Sequence, residues 1–463
     1  MRFRGAVLAA VVVAAPLAAC RRAGEETARP NIVVIMTDDQ TVESLRVMPN
    51  VERLLSERGV TFTNSVVSYP LCCPSRASFL TGQYAHNHGV LGNEPPDGGY
   101  SAFRAPLATL PAALRDAGYT TVHIGKYLNG YGLARRREVP AGWSDWHGLV
   151  DYSTYQYFDF TLNDNGRLRR PRGYQTHVLT DRATSAIRRE ADEDGPFFLE
   201  LAFAAPHHEL ERRRPLSARR DRGTFATEPL PMPASFAEAD VTDKPAPVAG
   251  DPPLDSAEID AITRRYRAAL TSLLAVDRSV ARVVRSLRAN DELDDTVIVF
   301  TSDNGYFYGE HRVASGKVFP YEPSIRVPLV VRGPGVGAGA TADALVANVD
   351  LAPTILELAG ARPLRPMDGR SLTGNLGHPR RPGPDRAVLL EAFGATRSGP
   401  YQGVRTERYV YIEYANGGRE VYDLVADPDQ LQNRHGQPET RAVEARLADR
   451  LAELRGCAGA GCR

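Results

Sequence analysis

The chain has 463 residues, enough for a large core and a second, smaller unit. Its 56 Lys and Arg balance its 56 Asp and Glu, which excludes steering of nucleic acid by net charge, so any anion recognition must be local. With 40 Gly and 34 Pro, the composition suits a loop-rich α/β enzyme better than a helical bundle.

Arg2 and Arg4 precede an apolar run from Gly5 to Ala19. The run is short for a bilayer span and reads as an export signal over residues 1–19. Leu17-Ala18-Ala19-Cys20 resembles a bacterial lipobox. That resemblance implies cleavage before Cys20 and lipidation of its thiol; an ordinary signal with a chance cysteine is the alternative. The expected location is thus outside the cytoplasm, lipid-anchored at the cell surface or in the periplasm. Residues 20–29 read as a polar tether, and no later segment is long and apolar enough to cross a membrane.

Ile32–Met36 is an unbroken apolar run ending in Thr37-Asp38-Asp39, the pattern of a buried parallel strand. An amphipathic helix is expected over 48–59, closing at Gly59, then a strand over 60–67. A short helix follows from Pro74 to Gly82. Further on come a helix at 107–118, a strand at 119–126 that delivers Lys126, and a helix near 176–191. The apolar strand at 196–206 exits at His207 and His208. Residues 212–256 lack periodicity and read as a long surface excursion. A helix over 257–289 precedes the strand at 296–302, which ends in Asp303-Asn304-Gly305. One more strand (326–335) and a helix (350–360) complete the main unit. Short strands after about 387 and a helix near 441–455 suggest a C-terminal α+β subdomain. The expected architecture is α/β: a large, mostly parallel sheet sandwiched by helices over 30–380, with a smaller subdomain over 381–463.

In such sheets ligands bind beyond the carboxyl ends of the strands. Asp38, Asp39, Lys126, His207, Asp303 and Asn304 all fall there. Three crowded carboxylates call for a cation, and an all-oxygen set favours Ca²⁺ or Mg²⁺ over zinc. Adjacent aspartates suit calcium, which tolerates irregular geometry; a lone Asp-Asp pair after a strand would otherwise read as a cap or turn. Arg76 lies one helical turn from Cys72. With Lys126, Lys317 and His207 it could hold a tetrahedral oxyanion beside the metal.

Leu71-Cys72-Cys73-Pro74-Ser75-Arg76, with Leu80-Thr81-Gly82 after it, resembles the signature of the type I sulfatases of the alkaline-phosphatase-like superfamily. Supporting stretches run from about Asn31 to about Asn433 and include Thr37–Gln40, Gly125–Gly132, Ala205–His208, Phe300–His311 and Val421–Asn433. The resemblance implies that a separate formylglycine-generating enzyme oxidises Cys72, not Cys73, to Cα-formylglycine. It assigns Ca²⁺ to Asp38, Asp39, Asp303, Asn304 and the modified Cys72. It makes Arg76, Lys126, His207 and Lys317 the sulfate-binding and catalytic set, with His208 able to exchange roles with His207. An aldehyde hydrate explains the modification: one hydroxyl attacks sulfur, and the other then expels sulfate, where a thiolate would be left in a stable adduct.

One position departs from the family. Many arylsulfatase-type members carry His two residues after the lysine matched by Lys126, where this chain has Leu128. Asn129 beside it cannot take a proton. His86, His88 and His311 are candidates for the missing base or for a sulfate contact; local packing is the alternative for His86 and His88. The motifs resemble the N-acetylglucosamine-6-sulfatases and heparan endosulfatases most closely, which implies a sulfated glycan substrate such as 6-O-sulfated glucosamine. Arg212, Arg213, Arg214, Arg219, Arg220 and Arg222 could meet a polyanion or form a solvated face. A phosphate or phosphonate ester hydrolase of the same superfamily is the nearest alternative. An unmodified surface-binding lipoprotein with a thiol pair at Cys72 and Cys73 is a second. Cys457 and Cys462 could close a small disulfide or remain reduced.

Overall fold

Asn31–Asp38 is buried at all eight positions. A strand apolar on both faces must lie inside a sheet covered on both sides, and this one sits near the middle of ten. The computed structural model describes residues 29–103, 107–380, 386–394 and 396–463; the expected signal and Cys20 lie outside them. From edge to edge the sheet runs 340–342, 59–62, 329–332, 296–302, 31–38, 197–206, 120–125, 145–149, 162–164 and 167–169.

The five strands from 296–302 to 145–149 are mutually parallel. Toward one edge, 329–332 pairs antiparallel with both of its neighbours. Toward the other, 162–164 and 167–169 form an antiparallel extension. The sheet is therefore mixed, with a parallel centre. Helices Gln175–Glu190 and Ser256–Ala289 cover one face. Cys72–Thr81, Leu110–Asp116 and Leu351–Leu358 cover the other. The 34-residue helix Ser256–Ala289 starts at a capping box between Asp255 and Glu258.

Two expected elements break. The helix expected over 48–59 is Pro49–Leu54 followed by a 3-10 turn at Ser56–Arg58. The chain must leave the helix early to bring Gly59 against strand 329–332, where a Cβ would lie 2.1 Å from the Val331 carbonyl oxygen. The strand expected over 60–67 splits in two. Gly59–Phe62 joins the large sheet, and Ser65–Val66 pairs with Val346–Ala347.

Residues 212–256 are largely irregular, but they are not all surface. Leu230, Val241 and Val248 enter the core, and Lys244 Nζ donates to Glu238 in a buried pair at 3.0 Å. The six arginines at 212–222 stay exposed.

A four-stranded antiparallel sheet, 388–392, 401–405, 409–414 and 419–423, forms the C-terminal layer with helix Arg441–Leu454. Arg386 ties this layer to the large sheet. Its Nη1 and Nη2 donate to Asp350 at 2.6 and 2.8 Å, with both groups buried. Cys457 and Cys462 form a disulfide. No helix among the described residues is long and apolar enough to cross a membrane.

Candidate active site

The helix Cys72–Thr81 is buried along its whole length. It starts at Cys72 after extended Leu71 and stops at Gly82, whose φ of 66° closes the last turn. A side chain at 82 would also press on Met367. The start of the helix, favourable for negative charge, faces the carboxyl ends of the central strands. Cys72 Sγ donates to Asp38 Oδ1 at 3.3 Å, and Lys317 Nζ lies 2.7 Å from the same sulfur. Cys73 points into the apolar layer instead, beside Ala77 and Phe79.

Asp38, Asp39, Cys72 and Asp303 each place one donor atom within 4.8 Å of the other three. All four residues are buried. Asp38 closes its strand, and Asp39 follows at a φ of 69°. That left-handed turn lets adjacent aspartates serve one centre. Asn304 joins them: its Nδ2 donates to Asp39 Oδ1 at 2.6 Å, while its Oδ1 is buried without a partner. A buried carbonyl oxygen left unpaired is costly. Three carboxylates and one orphaned amide oxygen make a donor set that fits a hard divalent cation.

Cations surround the acids. Lys126 Nζ contacts Asp38, and Lys317 Nζ contacts Asp39. Arg76 Nε donates to Asp303 Oδ2 at 2.7 Å and Nη1 to the Lys126 carbonyl at 2.8 Å. Its Nη2 is buried without a hydrogen-bond partner, 4.0 Å from Asp38 Oδ2. Burial opposes the charge on Asp38, but Lys126, His207, Lys317 and Arg76 together hold its carboxyl well below the usual range. Asp303 is pushed up, by burial and then by the Asp38 charge. Burial and the neighbouring Asp38 push the Cys72 thiol up to about 12. Such a thiol is a poor nucleophile or soft-metal ligand near neutral pH.

His207 leaves strand 197–206 and completes the group. Its Nδ1 faces the His208 carbonyl at 2.7 Å. A carbonyl only accepts, so Nδ1 carries the proton and Nε2 has the free lone pair. Nε2 lies 3.7 Å from Asp39 Oδ2. Burial lowers this imidazole to about 4. His208 stacks on His207 with centroids 4.5 Å apart and is less buried.

The structure thus brings together Asp38, Asp39, Cys72, Arg76, Lys126, His207, Asp303, Asn304 and Lys317. It holds the other three histidines in separate networks. His86 bonds Glu391 and the Cys457 carbonyl, each at 3.0 Å. His88 meets Ser78 Oγ at 3.1 Å and accepts from the Val90 N–H. His311 is fully buried, with Nδ1 2.6 Å from Glu238. Leu128 is buried in the apolar layer. Tyr155, which stacks on His207 at 4.1 Å, had no signal in the sequence, since it lies in an irregular segment without periodicity or motif.

A family model described as sulfatase matches residues 30–361. A second, described as the C-terminal part of N-sulphoglucosamine sulphohydrolase, matches 309–456. The chain is 33% identical to the human N-acetylglucosamine-6-sulfatase, covering 94% of this chain and 86% of that one. It is 32% identical to an arylsulfatase of Volvox carteri over 94% of this chain and 76% of the relative. A solved structure described in complex with its substrate D-glucosamine-2-N,6-O-disulfate superposes with a TM-score of 0.76 at 28% identity, covering 92% and 97% of the two chains. The phosphonate monoester hydrolase of Agrobacterium radiobacter, 22% identical, shares the fold with a TM-score of 0.72 over 92% and 95%. The buried cationic and acidic cluster therefore lies in a chain that belongs to the sulfatase family and is a sulfuric ester hydrolase.

Proposed function

We propose that this sulfatase removes sulfate from a 6-O-sulfated glucosamine unit, using a formylglycine made from Cys72 and a bound calcium ion. One observation carries the reading. The Cys72 side-chain atom sits between Asp38 Oδ1 and Lys317 Nζ, at 3.3 and 2.7 Å, so a group placed there faces a cation site and an anion site together. Relatives named as N-acetylglucosamine-6-sulfatases support the substrate class.

Asp38, Asp39, Asp303 and Asn304 would hold the calcium, with an oxygen in place of the Cys72 sulfur. When bound, the ion neutralises charge and polarises oxygens at this point. As an aldehyde hydrate, the Cys72 side chain would supply one hydroxyl to attack sulfur and a second whose deprotonation releases sulfate. The remaining residues position and neutralise. Arg76 fixes Asp303 and the Lys126 backbone. Lys126 and Lys317 face the sulfate oxygens. A ring nitrogen of His207 lies within 4.8 Å of Cys72 and Asp38 donor atoms, and its Nε2 lone pair is a neutral proton acceptor beside Cys72, whereas the nearer Asp38 Oδ1 would be engaged by the calcium. That assigns to His207 the base absent at Leu128. The protein would be exported and lipid-anchored at Cys20, with its main and C-terminal units meeting near residue 380.

The test uses protein matured with a formylglycine-generating enzyme. Mass spectrometry of the Cys72 peptide is expected to show the aldehyde, and turnover is expected on 6-O-sulfated N-acetylglucosamine. Full activity with an intact thiol would overturn the nucleophile. Faster turnover of a phosphonate monoester than of any sulfate ester would favour the other chemistry found on this fold. Cys20→Ala should release the protein from membranes; a variant that stays membrane-bound would overturn the anchor.

A further inference from the structure

We infer that Tyr155 is a substrate-contacting residue, whose hydroxyl donates a hydrogen bond to an uncharged oxygen of the sugar that carries the sulfate. This rests on the sugar-sulfate reading above. The ring stacks on His207 with centroids 4.1 Å apart and planes 25° apart. Lys126 Nζ lies 4.9 Å from its centroid. Both neighbours are buried, whereas Tyr155 is part-exposed. It therefore borders the buried site from a less buried position.

The hydroxyl is held as an acceptor. Asn129 Nδ2 donates to it at 2.9 Å. The Asn129 backbone is fixed in turn, its main-chain carbonyl accepting from the Tyr100 N–H at 2.7 Å. Several other tyrosines spend their proton on the protein. Tyr157 donates to the His207 carbonyl at 2.8 Å, and Tyr321 to Glu420 at 2.7 Å. Among the described residues, no acceptor takes the Tyr155 proton. A phenol whose lone pair is engaged and whose O–H is unspent is a directed donor. Lys126, Lys317 and Arg76 already meet the anion. A neutral donor adds little there, but it matches a ring hydroxyl or amide oxygen, the groups that distinguish one sugar from another.

Tyr155→Phe keeps the ring stacking and removes only the donor. On 6-O-sulfated N-acetylglucosamine it should lower kcat/KM by about tenfold to hundredfold, mainly through KM. The inhibition constant of inorganic sulfate should stay unchanged. Asn129→Ala should act in the same direction, and the double variant should be no worse than Tyr155→Phe alone, because both remove one contact. Wild-type melting temperature in the variants excludes a folding defect. An unchanged KM in Tyr155→Phe overturns the inference, as does a sulfate inhibition constant that weakens in step with KM. If the wild type turns over aryl sulfate but no sulfated sugar, the substrate reading and the sugar contact fail together. If it turns over the sugar and Tyr155→Phe does too, equally well, Tyr155 alone is refuted.

Discussion

Replacing Lys317 by Met removes one charge and nearly preserves side-chain length. Nζ lies 2.7 Å from Cys72 Sγ and 3.9 Å from Asp38 Oδ1. A sulfate brought to Cys72 would then place an oxygen about 4 Å from that nitrogen, where two unit charges interact by about 4 kcal/mol at an effective dielectric of about 20. Lys126 and Arg76 remain and share the anion. About half of the interaction is therefore lost, about 2 kcal/mol, or about a thirtyfold fall in kcat/KM. The assay is steady-state hydrolysis of 6-O-sulfated N-acetylglucosamine by matured protein. The Lys317 side chain is only 10% exposed, so salt should not close the gap between variant and wild type. A folded Lys317→Met enzyme within threefold of wild type would refute the reasoning. So would a gap that vanishes at high ionic strength.

Arg386→Met should strip the buried Asp350 of its counter-charge and cost about 3 kcal/mol, read as a lower melting temperature; Asp350→Asn added to it should recover part of the loss, and an unchanged melt would contradict the pairing. Burial alone would depress His86, but the Glu391 hydrogen bond and charge carry it above its ordinary value. Its stabilisation is therefore complete below about pH 6.5 and is lost as pH rises through the raised value. His86→Gln should flatten that part of the stability–pH profile, and equal slopes in both proteins would rule the pair out. Chelation should lower both activity and melting temperature, with calcium restoring each, since Asp38, Asp39 and Asp303 would lose their counter-ion. A melting temperature indifferent to chelator and calcium would contradict the ligand set.

Local runs were legible. Ile32–Met36 and the segment ending in Asp303 announced buried strands, and the carboxyl-end rule gathered residues far apart in sequence into one place. What depended on pairing between distant segments was not. Nothing in Leu329–Arg332 says that it runs antiparallel between two strands, and the split at Phe62 follows from partners near 330 and 346. His86 and His88 follow the signature helix closely, yet their fate was set by Glu391 and Ser78. A histidine's role depends on what faces it, and Glu391 lies 305 residues away from His86. Tyr155 was silent for the same reason: it gains its meaning only from Asn129 and His207.

Cys72 is 1% exposed, covered by groups that arrive late in the chain. Lys317, which touches its sulfur, is synthesised 245 residues after it, and Asp303 only shortly before Lys317. Any protein that oxidises this cysteine needs a grip on the surrounding backbone, and in the finished fold that backbone is the inside of a buried helix. If Cys72 is converted as proposed, maturation and folding compete for the same ten residues. The interval between emergence of Cys72 and closure of the 303–317 segment over it is a time window, and a chain that folds too fast would lock in an inert thiol. Slowing closure should then raise the active fraction without altering a single residue of the site.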